Sequence, residues 1–212
     1  MATKIHVLIA DDHAIVRQGL KQILSETDDL VVAGEADDGA DALQLARQQQ
    51  WDVFLLDVTM PNRNGIDTLK QLKKEFPRLP VLMLSMHPEE QYAVRAIKAG
   101  ASGYLTKQSA PELLVTAIRQ VAQGRKYLSP TVAMQLADAI ASDSEKPLHE
   151  LLTDREFEVF RLIAVGRPLT QIADELNLAV ATISTFRARI LGKLNLSSTA
   201  ELIRYGLEHG LS

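Results

Sequence analysis

Five side chains of this 212-residue chain could together handle a phosphoryl group. They are Asp11 and Asp12 in "LIADDH", Asp57 in "WDVFLLDVTMPNRNG", Ser85 in "PVLMLS" and Lys107 in "GYLTK". Three carboxylates held close together repel and raise one another's pKa. A hard divalent cation relieves that cost. Mg²⁺ favours one or two carboxylates, completed by backbone oxygens, waters and phosphate. Lys107 balances the remaining charge, and the Ser85 hydroxyl can donate to a phosphoryl oxygen. Nucleophile, metal, cation and donor are the equipment for placing a phosphoryl group on a carboxylate. Taken singly, each residue has a plainer role: Asp11 or Asp12 as a helix N-cap, Asp57 in a turn, Ser85 as a strand-end hydroxyl, Lys107 as a solvated cation. His13 reads as a partly exposed helix-start residue. The chemical reading rests on the coincidence of all five at strand ends.

That coincidence follows from the elements around them. "KIHVLIA" (4–10), "LVVAGEA" (30–36), "WDVFLL" (51–56), "PVLMLS" (80–85) and "GYLT" (103–106) read as short apolar strands. Helical patterns lie near 14–25, 39–49, 65–75, 89–99 and 110–123. Such alternation predicts a five-stranded doubly wound parallel sheet with helices on both faces. In these sheets ligands bind at the carboxyl ends of the strands, where the strand order reverses. Met60–Pro61 starts a turn after Asp57, and Gly65 lets that loop bend.

Beyond residue 125 the pattern changes. "SPTVAMQLADAIAS" predicts a short helix with Ser129 as N-cap and Pro130 at its first position. "ASDSEKPLHE" reads as a polar linker. From 150 there are helices only. "LTDREFEVFRLIAVG" carries a capping box of Thr153 with Glu156, and Gly166 stops the helix. "LTQIADELN", "VATISTFRARILGKL" and "STAELIRYGLEHG" complete a four-helix all-α tail. The expected organisation is 1–125 as an α/β domain, 126–149 as a linker with a short helix, and 150–212 as the helical domain.

The third helix of the tail holds Arg187, Arg189 and Lys193 and no acid. Ile183, Phe186, Ile190 and Leu194 form its buried stripe. Ala181, Ser184, Thr185, Ala188 and Arg189 point the other way. A small, non-acidic face of this kind can enter a major groove, whereas a plain bundle would leave it as a solvated surface.

Composition sets the outer bounds. Hydrophobic residues are 46% and charged residues 24%, so the chain can bury a real core. It has no cysteine, which removes disulfides and Cys-based metal sites and suits a reducing compartment. The apolar run in "MATKIHVLIADD" is too short for a signal peptide or a membrane span, so the expected location is cytoplasmic, with no membrane partner. Net charge is −4, a poor overall balance for a nucleic-acid binder, which puts the weight on local charge.

"LIADDH", "LLDVTMPNRNG", "LMLS" and "GASGYLTK" resemble the receiver domains of two-component response regulators. "LTDREFEVFRLIAVG" with "IADELNLAVATISTFRARILGKL" resembles the LuxR-type helix-turn-helix. Together they resemble the NarL/FixJ family. The resemblance covers nearly the whole chain. It implies that Asp57 is the phospho-acceptor, that Asp12 is the main Mg²⁺ ligand with Asp11 assisting, and that the Thr59 carbonyl completes the protein ligands. It implies phosphoryl contacts from Ser85 and Lys107, and Tyr104 as a switch aromatic that turns inward with Ser85. On the tail it implies DNA contacts from Thr182, Ser184, Thr185, Arg187, Ala188, Arg189 and Lys193. The implied partners are a sensor histidine kinase, double-stranded promoter DNA and a second copy of the chain. The implied role is a transcription factor and not an enzyme, apart from promoting its own phosphorylation and dephosphorylation.

The chain departs from the family pattern in places. Ala181 stands where Lys is common, "RPLTQIA" replaces an Asn-Lys-Glu-like run, and Gln108 follows Lys107 where many receivers have Pro. Residues 150–212 carry seven Lys/Arg against eight Asp/Glu, a net of −1, so DNA affinity is expected to depend on dimers. Two other readings compete. One is a phosphohydrolase with an Asp nucleophile, but the haloacid dehalogenase type wants Asp-x-Asp after the first strand, and "ADDH" lacks it. The other is a phosphorylation-independent DNA binder with a vestigial receiver, against which the intact acid set argues.

Overall fold

A computed structural model describes residues 4–61, 63–109, 111–141 and 147–211. Contacts divide the chain into two compact units, Met1–Ala139 and Ile140–Ser212. The first is a five-stranded parallel sheet of order β2-β1-β3-β4-β5, with β1 Ile5–Ala10, β2 Leu30–Ala36, β3 Val53–Asp57, β4 Val81–Ser85 and β5 Gly103–Thr106. Helices α1 Ala14–Ser25, α2 Gly39–Gln48, α3 Gly65–Glu75, α4 Glu89–Lys98 and α5 Pro111–Ala122 alternate with the strands. All pairings are parallel, and the order reverses between β1 and β3.

β3 and β4 are buried along their whole length, as continuous apolar strands inside a two-faced sheet must be. Val53, Phe54, Leu55 and Leu56 are fully buried, each contributing roughly 1.5–3 kcal/mol. That is enough to hold a buried acid, costing several kcal/mol, at the strand end. β2 differs from its expected buried character. It is an edge strand whose middle residues are partly exposed, because only β1 pairs with it.

The β3–α3 loop is tight. The Gly65 N–H donates to the Val58 carbonyl at 2.8 Å, and the buried Asn64 caps α3 through the Ile66 N–H at 2.8 Å. The reason for Gly65 is not the one expected. A β-carbon there would meet the Asp57 carbonyl oxygen at 1.8 Å, so glycine is required by close approach rather than by bending.

The first unit also reaches past residue 125. The Tyr127 N–H donates to the Ser102 carbonyl at 2.9 Å, Tyr127 bridges Gly103, and Val132 of α6 (Pro130–Ala141) is buried. Ser129 caps α6 by accepting from the Val132 N–H at 3.2 Å. The core of the expected linker, 142–146, lies outside the described residues.

The second unit is helical: α7 Asp154–Ala164, α8 Leu169–Glu175, α9 Val180–Leu194 and α10 Thr199–Glu208. A single 3-10 turn, Leu148–Leu151, precedes α7 where polar linker was expected. Thr153 and Glu156 form the expected capping box, and Gly166 ends α7 with φ +80°. Ile183, Ile190 and Leu194 of α9 face the core, and Phe186 is half-buried.

Replacing Gly65 with Ala is expected to lower receiver stability by roughly 3 kcal/mol or more, because the crowded neighbour is backbone. Urea unfolding of Gly65→Ala beside the parent chain checks this; a near-unchanged midpoint would show that the loop relaxes freely.

Candidate functional site

β1, β3 and β5 deliver three charged side chains to one rim. Lys107 Nζ lies 2.8 Å from Asp57 Oδ2 as a hydrogen bond and 2.6 Å from Asp11 Oδ2 as an ion pair. All three are nearly removed from solvent, Asp11 at 1% and Asp57 at 2% exposure. Asp12 is exposed at the mouth. Asp11, Asp12, His13 and Asp57 each offer one ligand atom, all within 4.8 Å of one another. The pocket therefore contains the three expected acids and also His13, whose place in the sequence marks it only as a helix-start residue. His13 is the N-cap residue of α1, but no side chain caps that helix. Asp11 instead accepts from the His13 N–H at 2.9 Å.

Burial pushes the Asp57 carboxyl up to about 7; Lys107 pulls it down, and Asp11 adds a smaller upward push. Desolvation is thus the largest cause, ahead of the repulsion from Asp11. Lys107 is lowered by burial, but the Asp57 and Asp11 charges outweigh that and raise it above the usual lysine value. The donor set is hard oxygen with one compensating ammonium, and the carboxylates converge. These residues fit a hard divalent cation.

Ser85 is fully buried at the end of β4, and its Oγ accepts from the His87 N–H at 3.0 Å. Tyr104 is buried, and its hydroxyl donates to the His87 carbonyl at 3.2 Å. The His87 ring packs against Tyr92 with centroids 5.2 Å apart. Two residues later α4 begins at Glu89, whose carboxylate accepts from the Ser129 hydroxyl at the start of α6. Nothing in the order of residues marks His87, Glu89 and Ser129 as a connected set. His87 bonds through its backbone, so its side-chain type carries no information about the link. The Thr59 N–H donates to Asp57 Oδ1 at 3.3 Å. No cis peptide occurs among the described residues, so Lys107–Gln108 is trans.

On α9, Ala181, Thr185, Ala188 and Arg189 are exposed, while Thr182, Ser184 and Arg187 are partly covered. The Thr185 hydroxyl donates to the Ala181 carbonyl at 2.9 Å. Arg187 Nε is buried without a hydrogen-bond partner among the described residues. Lys193, expected on phosphates, also has a partner within its own domain. Its ammonium lies 2.6 Å from Glu156 Oε2 and 3.3 Å from the Leu151 carbonyl. Burial raises Glu156, but Lys193 and Thr153 outweigh it and hold the carboxyl below its usual value. Lys193 therefore ties the end of α9 to the capping box of α7.

Comparison with known proteins agrees with this geometry. Residues 7–119 match the family model "Response regulator receiver domain", and residues 150–206 match "Bacterial regulatory proteins, luxR family". The chain belongs to the two-component response regulators, as a receiver joined to a LuxR-type helix-turn-helix of the NarL/FixJ type. The response regulator GacA of Pseudomonas aeruginosa is 37% identical over 208 residues, covering 98% of this chain and 97% of that one. UvrY of Escherichia coli is 34% identical over 208 residues, covering 98% and 95%. A solved structure of the Salmonella typhimurium response regulator RcsB superposes with TM-score 0.65 at 29% identity, covering 96% of each chain. Another, described as RcsB bound to promoter rprA in the presence of the phosphomimetic BeF3⁻, gives TM-score 0.63 at 27% identity, covering 96% of this chain and 98% of that one. No helix among the described residues is long and apolar enough to cross a membrane.

Two outcomes test these environments. Asp57 titrates near 7 when folded and at about 3.8 when free, so the folded state binds the proton more tightly and loses stability as pH rises between those values. In metal-free buffer Asp57→Asn is expected to be more stable than the parent at pH 8, by up to a few kcal/mol at roughly 1.4 kcal/mol per tenfold change in acidity constant. The gain should shrink towards pH 4. Equal thermal midpoints at pH 8 would contradict it. Lys193→Met should destabilise the second unit by roughly 1.5–3 kcal/mol, as expected for a hydrogen bond to a charged group. Adding Glu156→Gln should recover part of that loss in the same melting assay.

Proposed function

We propose that Asp57 is the phospho-acceptor of this regulator, and that its phosphorylation by a sensor histidine kinase controls promoter binding by the helical domain. The observation that carries this is the buried Asp57–Lys107–Asp11 cluster at the sheet's switch point. An Asp57 oxygen attacks phosphorus in line, an O–P bond forms, and the P–N bond of the donor phosphohistidine breaks. Asp11 and Asp12, with the Thr59 carbonyl, would hold Mg²⁺. When bound, the cation supplies charge neutralisation to the phosphoryl oxygens. Lys107 stays against Asp57 and meets one phosphoryl oxygen. The same residues would support slow self-phosphorylation from small donors and self-dephosphorylation.

The Ser85 hydroxyl accepts from His87 and keeps its own proton to donate. Turning that hydroxyl toward a phosphoryl oxygen costs His87 its acceptor. His87 also holds the Tyr104 hydroxyl, and its loop runs into Glu89 and hence Ser129. Phosphorylation, which brings a side chain to about −1.5 to −2 charge, would thereby reach α6. The switch is a two-state equilibrium biased by one charge change.

For DNA we propose α9 in the major groove. Thr182, Ser184, Thr185 and Ala188 lie nearest base edges, and Arg187 and Arg189 hold phosphates. Lys193 acts on this surface through its structural pair. Short side chains give modest discrimination, so two copies bind together on two-fold related half-sites. RcsB, whose solved complexes include two dimers on two DNAs, supports the dimer by analogy. The working boundaries are 1–125, 126–149 and 150–212, and the working location is the cytoplasm.

A small acyl phosphate with Mg²⁺ is expected to add one phosphoryl group to the parent chain and none to Asp57→Asn, by intact mass. Equal labelling of Asp57→Asn would move the acceptor elsewhere, and a parent chain that never labels yet binds DNA fully would favour the vestigial receiver. Glu89→Ala should label normally but lose the gain in DNA affinity that labelling gives the parent. A preserved gain would take α6 off the path.

A further inference from the structure

We infer that α9 reads its half-site by methyl contact, the Thr185 methyl group packing on the C5 methyl of a thymine in the major groove. The inference rests on the proposal that α9 is the groove-facing helix, and names what that helix reads. The Thr185 hydroxyl donates to the Ala181 carbonyl at 2.9 Å. Its one proton is therefore spent inside the helix, and donating to a base edge would break that bond. Thr185 is exposed, and what it offers a base without rearrangement is a methyl group and an oxygen lone pair.

The surroundings of that methyl are apolar. Ala181 and Ala188 are exposed on the same face, one turn before and one turn after Thr185. Thr185 also lines a recess of about 280 Å³ with Ala181, Thr182, Phe186 and Arg189. The half-buried Phe186 ring gives that recess an apolar wall. Arg189 is its one charged lining residue and keeps its place on a phosphate. Among the four standard bases only thymine presents a methyl group in the major groove, and Ala, the Thr methyl and Phe are side chains that meet it. All three kinds are gathered here.

The competing reading is a hydroxyl contact, in which the Thr185 oxygen accepts from the amino group of adenine or cytosine. The two readings answer differently to removal of a methyl from the DNA and from the protein.

The test uses the full chain, treated with a small acyl phosphate and Mg²⁺, to select sequences from a random duplex pool. The selected duplex is then rebuilt with deoxyuridine for thymidine at single positions, which removes the methyl and keeps every hydrogen-bonding group. At one position per half-site, uracil should weaken binding by the parent roughly fourfold, the value of one buried methyl-sized group, and by roughly tenfold or more when both half-sites are changed. Thr185→Ser keeps the hydroxyl and should bind thymine and uracil duplexes nearly alike. Thr185→Val keeps a methyl without the hydroxyl and should still distinguish them. A parent indifferent to uracil at every position, a uracil penalty that persists in Thr185→Ser, or one lost in Thr185→Val would overturn the methyl contact. Arg189→Ala separates this from the wider reading. Weaker binding of Arg189→Ala to every duplex keeps α9 in the groove whatever the uracil result. If neither Arg189→Ala nor the Thr185 variants bind differently from the parent, or if the parent selects no sequence, both proposals fall.

Discussion

Lys107 between Asp57 and Asp11 is the contact on which the receiver depends. Two buried carboxylates at one sheet rim repel, and removing them from water costs several kcal/mol each. A single buried ammonium, 2.6 and 2.8 Å from them, makes the arrangement tolerable. It does not make it comfortable, because Asp57 is still held near 7. That residual cost is useful. A group poised between charged and neutral responds strongly to a cation or a phosphoryl group arriving beside it.

The scaffold is built to prevent the site from relaxing away. β3 is buried throughout, and after it the chain turns so tightly that only glycine fits at 65 against the Asp57 carbonyl. Asp57 is therefore fixed from both sides, by apolar burial before it and by backbone crowding after it. The other side of the site is the loop from Ser85 to Glu89. There hydrogen bonds from His87 and Tyr104, rather than close packing of backbone, set the conformation.

The helical unit repeats the same solution on a smaller scale. Glu156 is buried at the start of α7 and needs a cation; Lys193, from the end of α9, supplies it. The pair engages one of the three basic side chains of α9. The orientation of α9 is thereby tied to α7.

The alternation of apolar runs determined the strand and helix order. The acid pair, Asp57 and Lys107 were legible because strand ends in a parallel sheet must meet at one rim. Helix ends written in local chemistry, such as the Thr153–Glu156 box and Gly166, were equally legible, since capping involves only near neighbours. What the sequence could not show depends on three-dimensional distance or on backbone atoms. His13 enters the pocket because its ring folds back on Asp12. The path from Ser85 to Ser129 begins at the backbone N–H and carbonyl of His87, which carry no side-chain signature, and ends on Glu89 and Ser129, which are 40 residues apart. The spacing of Lys193 on its helix reads as a phosphate contact and carries no sign of its pairing with Glu156. Only the packing of α9 on α7 brings a buried carboxylate within its reach, because the two residues are 37 positions apart in sequence.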